Sequence, residues 1–366
     1  MQKVLIRVDS SLEIGTGHIS RMLVLAHAFK VRGYAVEIAT RELEGYLDTS
    51  AMGFVTHILK RPSAPYPQEP ARADYDSWLG VPLEHEIAEM RDIVKYLKPE
   101  ILVVDHYSLG RQWEVAMREH CKTLIAVDDI ANRTHSCDVL IDHNHFTRNP
   151  SARYEGLVED GTLMLLGTSF SLLNATFIAN HPATEIGPEE DNCKVLIFFG
   201  GSYQGPLLLR TLESLSLSRY SRFLEVTVES RGFQLPDDFD AHTMKSLTNL
   251  GPQESLDELI RETDFVIGAG GVNTWERLAS NKFSLVVSIA SNQEELTKEL
   301  DALGYLKYLG RESEVTSRLL VSSIDELFEN RQLLSRKLSN LARLVDGRGP
   351  SRVVAELERF QEAGPA

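Results

Sequence analysis

The feature that most constrains this chain is a repeated unit: a short run of β-branched and aliphatic residues, a turn rich in Gly, Asp or Asn, then a segment with apolar residues at helical spacing. Strands that alternate with helices pair through crossovers rather than hairpins, so the pattern specifies α/β architecture with parallel sheets. In the first half the clearest strands are Val4–Val8, Ala35–Ala39, Ile101–Val104 and Leu124–Val127, with helices expected at His18–Arg32, Leu83–Tyr96 and Gln112–His120. Their apolar character is continuous rather than alternating, which fits strands covered on both faces. The polar stretch 181–192 (HPATEIGPEEDN) interrupts the pattern, and a fresh strand begins at Lys194–Phe199. Further strands are expected at Leu224–Val228, Phe265–Ile267 and Leu285–Ser288, and helices at Asn273–Ala279, Glu294–Leu303 and Ser323–Leu344. A length of 366 residues suits two domains. The expected partition is an α/β domain over 1–180, a linker over 181–193 and a second α/β domain over 194–366, facing each other across a cleft with ligands at the carboxyl ends of the strands. Segment 60–82, rich in Pro, Ala and Tyr, reads as an exposed loop.

Composition narrows the function classes. Fifty-three acids against 38 bases give a net charge of -15, and the bases form no block, so nucleic acid and anionic membrane surfaces are not expected partners. The first strand reaches Arg7 and Asp9 at once, unlike a signal peptide, and no stretch of about 18 apolar residues occurs. Cys121, Cys137 and Cys193 are too few and too scattered for a disulfide framework or a paired metal site. These features lead to the expectation of a cytoplasmic protein.

Two loops carry chemistry. The first follows the first strand and reads Asp9-Ser10-Ser11-Leu12-Glu13-Ile14-Gly15-Thr16-Gly17-His18, after which Ile19, Met22, Leu23, Ala26 and Phe29 continue at helical spacing. Gly15 and Gly17 would let backbone approach a ligand closely, and His18 and Arg21 would share one side of the helix. The positive helix end disfavours imidazolium, so His18 would be a neutral base unless Asp9 lies close. The alternative is a tight turn in which His18 merely occupies the helix start. The string is not a dinucleotide fingerprint, because Ser20 stands at the third glycine position.

The second loop, Gly268-Ala269-Gly270-Gly271-Val272-Asn273-Thr274-Trp275-Glu276-Arg277, follows the strand at Phe265–Ile267. Free backbone N–H groups there suit a phosphate or diphosphate, and Glu276 can accept hydrogen bonds from two vicinal ribose hydroxyls. Asn292 and Gln293, in the loop after Ser288, are candidates to reach the same nucleotide, and Gly200-Gly201-Ser202 forms a third glycine turn. Lysine is missing from the P-loop position, so triphosphate hydrolysis is not indicated.

With these strings the chain resembles a known family. DSSxxIGxGHxxR (Asp9 to Arg21), Asp105-His106-Tyr107, Val127-Asp128-Asp129, Cys137 to Asp142, Tyr154 to Val158 and the GAGG…WE string occur in the order found in the UDP-sugar hydrolases of pseudaminic acid biosynthesis, relatives of the GT-B glycosyltransferases. The resemblance implies a GT-B-like fold of two Rossmann-like domains and hydrolysis of UDP-2,4-diacetamido-2,4,6-trideoxy-β-L-altropyranose with inversion at the anomeric carbon, needing no cofactor or metal. It implies His18 as the catalytic base, with Asp9, Gly17, Arg21, Tyr107 and Asn144 on the sugar side. On the nucleotide side it implies Gly201, Gly270, Gly271, Val272, Glu276, Asn292 and Gln293. A UDP-activated sugar is the implied partner; the oligomeric state is left open, and a monomer is compatible with it.

The chain departs from the family pattern at Tyr203, His143 and Thr168 to Asn174, Phe170 included, positions expected to gather around the sugar. Arg7, Arg21 and the helix ends are expected to give the local positive field that an anionic substrate requires in an acidic protein. Three rival readings stand beside the hydrolase: a GT-B glycosyltransferase with an acceptor other than water, a non-catalytic sugar-nucleotide-binding protein, and a two-metal hydrolase built on Asp105, His106, Asp128, Asp129, Asp142, His143 and His145.

Overall fold

The computed structural model describes the chain except for residues 63–74, 147–148, 178–191, 201–202, 204, 231, 238, 252–255, 339–344 and 364–366, and gives the backbone alone for 331–338. The described residues divide into two compact units, Met1–Leu173 with Arg348–Ala366, and Asn174–Gly347.

The first unit runs β1 (Lys3–Val8), α1 (Gly17–Val31), β2 (Ala35–Arg41), β3 (Val55–Leu59), α2 (Leu83–Leu97), β4 (Ile101–Asp105), α3 (Arg111–Arg118), β5 (Thr123–Val127), β6 (Val139–Asp142) and β7 (Leu163–Leu166). Its seven parallel strands lie in the order β3-β2-β1-β4-β5-β6-β7, so the chain changes direction across the sheet between β1 and β4. Strands β1, β4, β5 and β6 are buried almost throughout. One face, with Ile6, Val8, Val103 and Ile141, packs on Met22, Leu25 and Phe29 of α1. The other, with Leu5, Leu102 and Leu140, packs on Met90 and Val94 of α2 and Trp113 of α3. Coverage on both faces is the reason for the unbroken apolar runs.

The second unit runs β8 (Cys193–Phe198), α4 (Leu207–Leu217), β9 (Leu224–Glu229), β10 (Ser246–Leu250), α5 (Asp257–Glu262), β11 (Phe265–Ala269), α6 (Asn273–Ala279), β12 (Phe283–Ser288), α7 (Glu294–Ala302), β13 (Lys307–Arg311) and α8 (Ser317–Leu338). Its parallel sheet has the order β10-β9-β8-β11-β12-β13, and here the direction changes between β8 and β11. In open parallel sheets such a change of direction leaves a crevice at the strands' carboxyl ends, where ligands bind.

The last helix, α9 (Gly349–Ala363), departs from the expected partition at 194–366, because it belongs to the first unit. Val353, Val354 and Leu357 are fully buried in the core of the first sheet, each contributing roughly 1.5–3 kcal/mol by burial. Gly349 is seated so closely that a Cβ would come within 2.1 Å of the Ser171 carbonyl oxygen. Most of the expected linker, 181–191, lies outside the described residues, and Cys193 already begins β8. Edge strands β3 and β10, with only intermediate or exposed residues apart from Leu59, were not anticipated.

Candidate active site

The carboxyl ends of β1, β4, β5 and β6 bring the chemically active residues of the first unit together. After β1 the chain makes a compact turn: the Gly15 N–H donates to the Ser11 carbonyl at 2.9 Å, and Ser11 Oγ accepts from the Glu13 and Ile14 N–H groups at 3.2 and 2.9 Å. Gly15 has φ 77°, a conformation glycine adopts at no steric cost. Helix α1 then starts at Gly17 with no side-chain cap and no acid in its first turn. This places His18 on the first turn, facing the end of β4.

His18 Nδ1 lies 2.7 Å from Asp105 Oδ1. Arg21, one turn on, clamps the same carboxylate with two donors, Nε to Oδ2 at 2.7 Å and Nη2 to Oδ1 at 2.6 Å, and its Nη1 donates to Asp129 Oδ2 at 2.7 Å. Burial alone would raise the Asp105 carboxyl, yet the Arg21 charge and the hydrogen bonds from Arg21 and His18 hold it well below the usual carboxylate range. An ionised Asp105 can only accept hydrogen bonds, so Nδ1 of His18 donates to it, and in the neutral ring this tautomer puts the lone pair on Nε2. Arg21 Nη2, also 3.2 Å from Nδ1, is then a close neighbour already donating to Asp105.

Aromatic side chains surround this base. The Tyr107 ring meets His18 edge-on at 4.6 Å between centroids, and Trp78 does so at 5.9 Å. Tyr107 and Trp78 stack at 5.4 Å, and Tyr75 packs on both. The Tyr107 hydroxyl donates to Asp129, and burial beside that carboxylate raises its pKa strongly. Beside them, Asn144 Nδ2 donates to the Asp129 carbonyl at 3.3 Å, and its N–H donates to Asp142 Oδ1 at 3.0 Å. His143 is buried, and its Nδ1 has no partner among the described residues. Burial, reinforced by the Arg21 charge, pushes its pKa down to about 4. Asp142 is pushed the other way, up to about 7 by burial, although Arg153 and the Tyr154 hydroxyl both donate to it.

Several expectations are corrected by this geometry. Asp9 does not face the site: it is fully enclosed, accepting two bonds from Arg7 at 2.5 and 2.8 Å and one from the Arg41 N–H at 2.6 Å. The carboxylate beside His18 is Asp105 instead. Arg7 provides no field for a substrate, because Asp9 and Glu86 neutralise it in the core, and Arg21 is likewise neutralised by Asp105 and Asp129. His106 lies beneath the site, its Nε2 3.3 Å from Asp9 without hydrogen-bond alignment, and its Nδ1 accepts the Ser108 N–H. Asp105, Asp128, Asp129 and Asp142 are each paired with an arginine, and no three metal-ligating side chains converge among the described residues.

Of the departures from the family pattern that lie in the first unit, His143 stands beside the base. The segment Thr168–Phe170 lies against α9, where Arg352 donates to the Ser169 carbonyl at 2.8 Å. Asn174 is exposed at the start of the second unit, and Tyr203 belongs to that unit, its hydroxyl donating to Glu312 and accepting the Leu207 N–H at 3.1 Å. Nor is all of segment 60–82 a plain exposed loop: residues 63–74 lie outside the described residues, but Asp76–Leu79 forms a 3-10 turn that delivers Trp78 to His18.

In the second unit the candidate nucleotide residues surround the end of β11. Gly270 packs so tightly that a Cβ would come within 2.8 Å of Thr297 Oγ1 and 3.0 Å of Gln293 Cβ. Gly271 has φ 115°, which favours glycine. Val272 is the N-cap of α6 and offers no side-chain bond. Glu276 is half-buried and accepts from Asn273, and burial raises its pKa. Gln293 Oε1 accepts the Ile289 N–H at 3.0 Å, while Asn292 is exposed. Gly201 lies outside the described residues. At the loop that follows Ser288, an open groove of about 570 Å³ is lined by Arg210, Ser288, Ile289, Ala290, Arg311 and Glu312, among others.

No family model matches the chain. It is 30% identical over 175 residues to a UDP-2,4-diacetamido-2,4,6-trideoxy-beta-L-altropyranose hydrolase of Campylobacter jejuni, a stretch covering 48% of this chain and 53% of that protein. It is 26% identical over 208 residues to a Helicobacter pylori protein named as both a pseudaminic acid cytidylyltransferase and such a hydrolase, covering 57% of this chain and 37% of that protein. The chain thus matches about half, or less, of the length of these relatives. Among solved structures, Acinetobacter baumannii MurG superposes with TM-score 0.65 at 14% identity, covering 98% of this chain and 100% of that one. The spinosyn rhamnosyltransferase SpnG with thymidine diphosphate gives 0.63 at 19% identity, covering 98% and 100%. The fold is GT-B. The sequence is similar to that of UDP-sugar hydrolases. Among the described residues, no helix is long and apolar enough to cross a membrane.

Proposed function

We propose that the protein is an inverting UDP-sugar hydrolase acting on a UDP-linked 2,4-diacetamido-2,4,6-trideoxyhexose. The observation that carries this reading is the 2.7 Å contact between His18 Nδ1 and Asp105, clamped by Arg21, at the carboxyl ends of the strands where the first sheet changes direction. The similarity to two UDP-sugar hydrolases supplies the substrate class.

In this mechanism His18 Nε2 takes a proton from water as the water oxygen attacks the anomeric carbon. The bond from that carbon to the diphosphate oxygen breaks, its electron pair leaving with UDP, and the configuration inverts. A neutral imidazole fixed by a carboxylate is suited to the task, since Asp105 sets the tautomer and stabilises the imidazolium that forms. Tyr107, Trp78 and Asn144 are assigned to the sugar, and Gly201, Gly270, Gly271, Val272, Glu276, Asn292 and Gln293 to the nucleotide. Backbone N–H groups of the glycine loop would take up the charge developing on the diphosphate.

Phosphorus NMR of the purified protein with UDP-2,4-diacetamido-2,4,6-trideoxy-β-L-altropyranose tests the assignment. The wild type should release UDP, and His18→Ala should bind UDP but release none. Release by His18→Ala at the wild-type rate would remove the base, and no release by the wild type, or release only with an added hydroxyl acceptor, would remove the hydrolase.

A further inference from the structure

One buried charge has no role in the reaction just proposed. Arg277 on α6 is 1% exposed, and its Nη2 donates to the Ala269 carbonyl at 2.8 Å and to Thr274 Oγ1 at 2.9 Å. Its Nε and Nη1 have no partner, and among the described residues no carboxylate forms an ion pair with it. Only Glu276, its chain neighbour, acts on it at longer range. The first unit treats its buried arginines differently: Arg7, Arg21 and Arg41 are each paired with two carboxylates. A buried guanidinium with unused donors and no counter-charge is strongly unfavourable unless something supplies the missing negative charge.

Its position indicates what that is. Nη1 lies against Gly268, where a Cβ would come within 2.8 Å of Nη1 and 2.4 Å of the Phe198 carbonyl oxygen, so the guanidinium occupies space that only glycine leaves open. Phe198 ends β8, Gly268 and Ala269 end β11, and these are the two strands between which the second sheet changes direction. The guanidinium therefore sits against Gly268 and the Ala269 carbonyl, at the end of β11 that leads into Gly270-Gly271 and at the crevice where parallel sheets of this kind take ligands.

We infer that Arg277 is a buried counter-charge for the diphosphate of a nucleotide bound on the 269–271 loop. This rests on the reading of that loop as the nucleotide site and adds a positioning residue that touches the ligand only through the loop. Among the described residues the charge has no carboxylate counter-charge, and a diphosphate bound on the loop would neutralise it from the far side of the Ala269 carbonyl to which Arg277 donates, where little water screens the attraction. Burial has already lowered the Arg277 pKa to about 10, as befits a guanidinium without a carboxylate partner.

The inference makes binding and stability respond with opposite signs. Wild type, Arg277→Gln and Arg277→Lys would be titrated calorimetrically with UDP, inorganic pyrophosphate and uridine, and unfolded thermally without ligand. Arg277→Gln should bind UDP and pyrophosphate at least about tenfold more weakly and uridine as the wild type does, with a ligand-free unfolding midpoint at or above the wild-type value. Arg277→Lys should keep most of the diphosphate affinity. Wild-type UDP affinity in Arg277→Gln would overturn the inference. So would a parallel loss of uridine and UDP binding, or a midpoint far below wild type, because the residue would then serve packing through Ala269 and Thr274. If the wild type hydrolyses the sugar nucleotide while Arg277→Gln binds UDP normally, this inference alone fails. If pyrophosphate binding depends on Arg277 but no sugar nucleotide is hydrolysed, the proposed function alone fails.

Discussion

Replacing Asp105 with Asn probes the base most sharply, because the geometry allows no good orientation of the amide. Asp105 accepts three hydrogen bonds at 2.6–2.7 Å: Oδ1 takes His18 Nδ1 and Arg21 Nη2, and Oδ2 takes Arg21 Nε. If the amide oxygen replaces Oδ1, the NH2 group faces Arg21 Nε and two donors oppose each other. If the amide is flipped, its NH2 opposes Arg21 Nη2 and donates to His18 Nδ1, which moves the imidazole proton to Nε2 and abolishes the base. Loss of the tautomer in the flipped orientation, or of the carboxylate charge that stabilises the imidazolium in the other, should lower kcat by about 10²–10⁴-fold. Arg21 also loses half of its buried neutralisation, which costs about 3–5 kcal/mol of stability, although Asp129 remains. The assay is steady-state UDP release against pH, with a thermal melt to establish that the variant is folded and a UDP titration as control. UDP affinity should be unchanged, since the nucleotide residues belong to the second unit. A folded Asp105→Asn enzyme with wild-type kcat would refute the tautomer argument.

Three further outcomes follow from the geometry. Gly270→Ala should weaken UDP binding at least about tenfold by calorimetry, because the new methyl displaces Gln293 and Thr297 around the loop; unchanged affinity would place the nucleotide elsewhere. His143 has its pKa lowered from 6.5 to about 4, so it adds stability above pH 6.5 that is lost as pH falls from 6.5 towards 4, at about 1.4 kcal/mol per pH unit. His143→Gln should flatten that part of the stability curve in urea unfolding at a series of pH values, and an unaltered slope would show that His143 does not carry it. Trp78→Ala should lower kcat/KM roughly tenfold or more by removing an aromatic wall of the His18 site, while saturating sugar nucleotide should alter wild-type tryptophan fluorescence; neither effect appearing would detach Trp78 from the site.

Strands that are covered on both faces declared themselves in the sequence. β1, β4 and β5 are apolar because helices lie on each side, β8 and β12 are buried along almost their whole length, and α6 starts and ends where its spacing indicated. Edge strands β3 and β10 bury one face poorly and left no such run. Helix α9 has a readable apolar stripe, but which of two sheets it covers depends on where the chain goes after Gly347, and no local pattern encodes that. His18 and Arg21 were legible from the glycine turn and one helical period. Their partner Asp105 was not, because it lies 87 residues from His18 and arrives only through the parallel pairing of β1 with β4, in which Val8 aligns with Asp105. The same blindness misplaced Asp9, whose burial follows from Arg7 and Arg41 turning into the core. Trp78 left one detectable signal, a tryptophan in an otherwise loop-like stretch.

In the proposed reaction water, activated by His18, attacks the anomeric carbon. A single turnover in oxygen-18 water, followed by mass analysis of both products and proton NMR of the fresh sugar, tests it directly. The label should appear in the hydroxyl on the anomeric carbon and not in UDP, and the inverted anomer should be seen before mutarotation. Label in the UDP phosphate would mean phosphorus–oxygen cleavage, and a retained anomer would mean a covalent intermediate; either result contradicts the account.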